Sequence, residues 1–161
     1  MTSFRTERLL ARLAAPGDEV AVQAVLDGAP GYHELVDGAP ADARAGADLL
    51  ADADADADRR LLLLWPGAGG AAVGLLDLQL HWPEPGAAHV RLLLLRESLH
   101  GRGLGREAAR GLEDALRRDG FQALRLSVTG ENAGARAFWE RIGFAPVERL
   151  AAGDTLHEKI L

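Results

Sequence analysis

The segment Leu99-His-Gly-Arg-Gly-Leu-Gly-Arg106 carries the densest chemistry of the chain. Gly101, Gly103 and Gly105 alternate with side chains, so the backbone runs there without Cβ obstruction. It lies between an apolar run, Leu92 to Leu95, and a stretch where Leu104, Ala108, Leu112, Ala115 and Leu116 recur at helical spacing. Glycine amides and the unpaired donors of a first helical turn then converge on one spot, at the positive end of the helix dipole. That is an anion site, and Arg102 and Arg106 add guanidinium groups that match a phosphate. The spacing differs from the dinucleotide fingerprint, because Gly105 is followed by Arg106, Glu107 and Ala108. The alternative is a connection in which the glycines only permit a tight turn.

Side chains able to carry a proton are few along the central strands: Asp77, His81, Glu84 and His89. His89 leads toward the apolar run and its ordinary pKa suits a general base, with Glu84 as a second candidate. Each also suits a structural role, Asp77 on a solvated strand face and Glu84 as a turn former. There is no cysteine, which removes a thiol nucleophile, thiolate metal sites and disulfides together. Lys159 is the only lysine, so a Walker-type phosphate loop is closed as a reading. Tyr32 is the only tyrosine and precedes His33 and Glu34. A structural reading has Tyr32 cap the core under a loop.

The turn His100-Gly-Arg-Gly103-Leu-Gly105 resembles motif A of the GNAT superfamily of N-acetyltransferases, Gln/Arg-x-x-Gly-x-Gly/Ala, with His100 in the first place. Asn132-Ala-Gly-Ala135-Arg-Ala-Phe138-Trp139-Glu-Arg-Ile-Gly143-Phe144 resembles the family's motif B, Asn-x-x-Ala-x-x-Phe-Tyr-x-x-x-Gly-Phe, with Trp139 for the Tyr. Thr6-Glu-Arg8-Leu is similar to the opening strand of many members. The resemblance implies an α/β fold whose central, mostly antiparallel sheet holds one splayed parallel strand pair, with about four helices. It also implies acetyl-CoA as cosubstrate, with no metal.

Carried onto this chain, the resemblance runs the pantetheine arm along Leu93, Leu94 and Leu95. The pyrophosphate rests on the amides of Gly101, Arg102, Gly103, Leu104, Gly105 and Arg106, with His100 at their head. A backbone N–H near Leu94 or Leu95, taken as Leu95, polarises the acetyl carbonyl and holds the oxyanion. Asn132 bonds the pantetheine, and Arg136 either approaches the phosphates or forms a solvent salt bridge. Trp139 serves as an apolar wall, since an indole N–H supplies no proton as an acid. Tyr32, His33 and Glu34 line the acceptor pocket. The reaction is direct attack by a small-molecule or peptide amine, without a covalent enzyme intermediate. Two rivals remain: a non-catalytic acyl-CoA-binding module on the same fold, and a binder of another nucleotide. Pairing of terminal strands into a homodimer is a further implication.

The elements that must hold these residues follow from periodicity. Arg8–Ala14 reads as a strand and Asp18 to about Leu26 as a helix. Gly28-Ala-Pro-Gly31 breaks it, and a loop is expected over Tyr32–Glu34, before a helix from near Ala41 through Leu50. Ala51 to Asp58 alternates Ala and Asp, expected as a solvated helix end or linker, or alternatively as an acidic lip that attracts a cationic substrate. Arg59–Trp65, Ala72–His81 and Ala88–Leu95 read as an antiparallel meander, the last buried on both faces over Leu92–Leu95. A helix over Gly103–Asp119, a strand over Leu124–Val128, a helix over Ala133–Arg141 and one or two terminal strands complete the chain.

The 161 residues are expected to form one domain, 1–161, and 48% hydrophobic content is enough for one core. A net charge of −6 and a pI near 5.3 argue against a nucleic-acid partner. No apolar run approaches the ~20 residues of a membrane span. Arg5, Glu7, Arg8 and Arg12 interrupt the N-terminus, so a cytoplasmic location is expected.

Overall fold

The computed structural model describes residues 3–161; the first two positions of the expected 1–161 domain lie outside the described residues. The strands are β1 (Ser3–Arg5), β2 (Leu9–Leu13), β3 (Arg59–Pro66), β4 (Gly74–Leu80), β5 (Ala87–Leu95), β6 (Ala123–Val128), β7 (Ala145–Arg149) and β8 (Thr155–Ile160). The helices are α1 (Glu19–Asp27), α2 (Pro30–Asp37), α3 (Ala45–Asp54), α4 (Leu104–Arg118) and α5 (Ala133–Arg141).

The strands form one sheet in the order β1-β2-β3-β4-β5-β6-β8-β7. Every neighbouring pair is antiparallel except β5 with β6. The meander from β3 to β5 follows from short turns between leucine-rich runs, and the parallel pair follows from the α4 crossover. Leu61–Leu64 are all buried because helices cover both faces. On one face α4 and α5 pack Ala108, Leu112, Leu116 and Trp139 against Leu62, Leu76 and Leu124. On the other, α1 and α3 pack Val22, Val25 and Leu50 against Leu61, Leu63 and Leu75.

Three expectations need correction, while the solvated-helix-end reading of the Ala-Asp run holds. Tyr32, His33 and Glu34 lie on a helix, α2, rather than in a loop. Pro30 occupies the first helical turn, where its missing N–H costs nothing, so the Gly-Ala-Pro-Gly break also starts a helix. Gly38, at φ 68°, ends it in the left-handed conformation. Asp77 is 3% exposed instead of solvated, because β4 lies at the centre of the sheet. Arg59 binds it with both fork nitrogens, at 2.9 and 2.8 Å, and Arg91 approaches at 3.3 Å. Leu92 and Leu93 are only half-buried, since β6 leaves β5 before reaching them. The Ala-Asp run forms the last turns of α3 and its exit; it leads into the start of β3, level with Gln79 and His89, so it is no lip at the end where β5 finishes.

Candidate functional site

The site originates in a pairing that stops. β5 and β6 pair from Ala87↔Ala123 to Val90↔Leu126 and then part, while β5 continues to Leu95 and β6 to Val128. On the other side β5 stays bonded to β4, with Leu94 opposite Leu75 and Leu95 opposite Gly74. A bulge marks the fork: Asp77 faces Leu92 and Leu78 faces Val90, leaving the Arg91 backbone without a register partner on β4.

Backbone direction alternates along a strand, and this decides which amides face the gap. The Arg96 N–H donates to Val73 O at 3.0 Å. Leu94 therefore also faces β4, and the N–H and C=O groups of Leu93 and Leu95 face the gap where β6 has left. The Leu93 and Leu95 side chains border the resulting cleft, whereas Leu94 packs into the α1–α3 layer.

The glycine turn closes the mouth of the cleft. Gly101 and Gly103 have φ 76° and 77°, a region in which a side chain would be strained. Gly103 precedes α4 and no side chain caps the helix. The first-turn N–H groups of Leu104, Gly105 and Arg106 thus lack helical partners and lie at the positive end of the dipole. A Cβ on Gly105 would come within 3.4 Å of the Phe138 ring, so this glycine lets α4 and α5 approach. The His100 ring nitrogen Nε2 lies 3.1 Å from Leu95 O.

The cleft measures about 660 Å³ and is bounded by β5, the turn, the start of α4 and one face of α5. Asn132 borders it while its side chain caps α5, accepting from the Ala135 N–H at 3.0 Å; its amide NH2 remains available. Trp139 is 7% exposed, stacked edge-on with Phe138 and Phe144, and forms a wall. The uncapped amides, the left-handed glycines and the open strand edge together fit a diphosphate with an extended, amide-bearing arm, the shape of CoA.

Not every expected residue meets here. The side chains of Arg102 and Arg136 do not border the cleft. Arg102 is exposed and its carbonyl accepts from Arg8 Nη1 at 3.0 Å, while Arg136 donates to Gly130 O at 3.3 Å on the β7 side of α5. His89 and Glu84 stand at the opposite end of β5, before the fork. His89 is paired with Arg125 where the strands are still bonded. Burial, then Arg91 and Arg125, push its pKa down to about 4. Glu84 is exposed and bonds Arg125 at 3.1 Å. These positions correct the expectation of a base at either residue, because strand direction puts them about 13 Å or more from Leu93.

Tyr32, His33 and Glu34 lie on the face opposite α4. Tyr32 stacks edge-on with His33 at 5.2 Å, and Asp37 holds His33 Nδ1 at 3.2 Å. Burial, then Asp37, raise the Tyr32 pKa. Their helix is tied to the end of β5: the Glu97 carboxylate accepts from the Gly31 N–H, and the Glu97 N–H donates to Gly28 O at 2.8 Å. Leu99, Phe138, Arg141 and Ile142 also border the cleft and were missed in the sequence. The spacing Ala135–Phe138–Ile142 on one face of a helix is the signal that could have found three of its wall positions.

Residues 31–144 match the family model described as the acetyltransferase (GNAT) family. Over 90 residues, 56% of the chain, the sequence is 38% identical to a mycothiol acetyltransferase of Beutenbergia cavernae; the match spans only 30% of that relative. The crystal structure of an acetyltransferase from Thermus thermophilus is similar at TM-score 0.87 and 32% identity, covering 95% of this chain and 97% of that one. The PaiA N-acetyltransferase from Thermoplasma acidophilum, crystallised in complex with coenzyme A, shares the fold at TM-score 0.72 and 16% identity, over 95% of this chain and 99% of that one.

Proposed function

The chain belongs to the acetyltransferase (GNAT) family, and from that membership we propose that it moves an acetyl group from acetyl-CoA to a primary amine within a ternary complex. The observation that carries this reading is the free edge of β5, with the Leu93 and Leu95 amides turned toward a gap directly above an uncapped helix start. The relative crystallised with coenzyme A supports the same cofactor.

Bound acetyl-CoA would supply a thioester, whose acyl carbon is open to a neutral amine. The chain's own residues do the rest. Leu104, Gly105 and Arg106 N–H groups hold the diphosphate, and Arg106 adds charge at the same place. Leu95 and Asn132 bond the arm as it enters from the turn. Leu93 lies nearer the fork, so its N–H is the donor positioned to polarise the acetyl carbonyl, one step deeper than the Leu95 N–H expected from sequence. Trp139, Phe138 and Ile142 exclude water from that end.

On this reading the amine approaches from the α2 side of the sheet, where Tyr32 and Glu34 stand opposite the α4–α5 face that lines the cleft. Glu97 holds α2 in place against the end of β5. Attack then rests on alignment of amine and thioester: the C–N bond would form as the C–S bond breaks, the thiolate of CoA would leave, and the proton lost by the attacking nitrogen would pass through solvent to that sulfur.

Thermal melting with acetyl-CoA, CoA and ATP, on the wild type and Gly103→Val, tests the reading. A ligand at 100 times its Kd adds ~2.7 kcal/mol, a rise of roughly five to ten degrees for a domain of this size. The CoA compounds alone should produce the shift, and the variant should lose it. Thiol release in an amine screen then separates transferase from binding module, since a module binds without turnover. A shift with ATP alone would overturn the assignment.

A further inference from the structure

The side of the fork away from the cleft carries a positive charge that has no task in holding CoA. Leu76 and Leu78, on either side of Asp77 in β4, pack on the α4 face, so Asp77 points to the α1–α3 face. Arg59 and Arg91 both meet its carboxylate there.

The two arginines are held differently. Arg59 spans both carboxylate oxygens, at 2.9 and 2.8 Å, and its side chain is 10% exposed. It neutralises Asp77. Arg91 reaches the same carboxylate through Nε alone, at 3.3 Å, and its side chain is 47% exposed. Among the described residues nothing bonds its Nη1 or Nη2. One carboxylate thus serves two guanidinium groups, and a charge is left over. Arg125, the next cation on β6, is occupied by Glu158 and Glu84. The surplus is felt at His89, whose pKa is pushed down by burial and then by Arg91 and Arg125.

Arg91 also stands at the right place. It is the bulged residue where β6 leaves β5, two positions before Leu93. Two residues of strand span about 7 Å. With the acetyl carbonyl on the Leu93 amide, the amine arrives on the face to which Arg91 points. A group held by the free Nη1 and Nη2 is then one short linkage from the attacking nitrogen. The guanidinium end matches the two oxygens of a carboxylate. In an α-amino acid a single carbon joins amine and carboxylate. A peptide N-terminus offers only a neutral amide at that position, and a plain amine offers nothing.

We propose that Arg91 binds the carboxylate of the acceptor, so that this chain acetylates a free amino acid in preference to a plain amine or a peptide N-terminus. The proposal rests on the acetyl-CoA reading of the cleft. The acceptor ammonium releases one proton to solvent. Its nitrogen forms the C–N bond as the C–S bond breaks, and the leaving thiolate takes up the second proton, giving an N-acetyl amino acid and CoA.

Thiol release with the common amino acids, their amides and the matching decarboxylated amines tests it, on the wild type, Arg91→Gln and Arg91→Lys. At least one amino acid should exceed its amide and its decarboxylated amine about tenfold in kcat/KM, mainly through KM, the scale of a charge-assisted hydrogen bond. Arg91→Gln should erase that margin, and Arg91→Lys should keep part of it. Asp77 retains Arg59 in both variants, and melting temperatures confirm their folding. A merely structural Arg91 would depress amino acid and amine alike and leave their ratio unchanged, which overturns the proposal. Wild-type turnover of amides or amines as fast as of amino acids overturns it alone. CoA binding without thiol release from any acceptor overturns the transferase reading and the proposal with it.

Discussion

His100 Nε2 sits 3.1 Å from the carbonyl oxygen of Leu95, so the head of the glycine turn is fastened to the last residue of β5. That carbonyl faces the gap rather than β4, and an acceptor there requires the ring to donate, which fixes the N–H on Nε2. A donor of suitable reach is all the position needs, so His can stand where the motif it resembles has Gln or Arg.

Replacing that donor should therefore loosen the cofactor site without unfolding the chain. His100→Leu should weaken CoA binding about fivefold, equivalent to one neutral hydrogen bond of about 1 kcal/mol. His100→Gln should restore most of it. Titration calorimetry on the two variants reads the difference.

His89 makes the fold sensitive to acid. Burial first, then Arg91 and Arg125, hold its pKa down at about 4, against 6.5 for the unfolded chain. As pH falls below 6.5 the unfolded state binds a proton that the folded state refuses, so stability drops until about pH 4 and then levels. A histidine resonance titrating near 4, and a flatter stability profile between pH 6.5 and 4 in His89→Gln, are the expected results.

Asp77 neutralises Arg59, whose side chain is only 10% exposed, and reaches Arg91 at the bulge where the fork begins. Asp77→Asn should cost about 3 kcal/mol, because it leaves a nearly buried guanidinium uncompensated. Urea unfolding should show a lower midpoint with an unchanged slope. CoA affinity should fall as well, since the bulge aims the Leu93 amide.

Lys159, the only lysine, donates to both Glu113 oxygens and to Ile142 O, each at 2.8 Å. It joins β8 to α4 and to the exit of α5. Glu113 has 4% side-chain exposure, so Lys159→Met should lower stability by about 3 kcal/mol and the melting temperature by roughly ten degrees. Glu113→Gln in the same background should recover part of the loss, because it removes a buried charge left with only Arg117 beside it, at 3.5 Å.

Much of the frame is legible from local pattern. The leucine runs and short turns give the β3–β5 meander, and the helical spacing after Gly103 gives α4 with its buried Ala108, Leu112 and Leu116. Alternating glycines before a helix disclose the uncapped turn, because amide exposure there depends on backbone conformation and needs no distant partner. Pro30 misled because the same residue ends one helix and begins another; only the packing of α2 on Glu97 decides between them.

The sequence by itself determined most of the strands and helices, the glycine turn that frees backbone amides before α4, and the resemblance to an acetyltransferase family. Those properties depend on the side-chain period and backbone freedom within a few neighbouring residues. Only the tertiary structure decided that Asp77 is buried, that His89 and Glu84 stand away from the cleft, and that Leu93 and Leu95 rather than Leu94 face the gap. Each of these depends on strand order, register and direction, which bring together residues far apart in the sequence and leave no local trace in the chain.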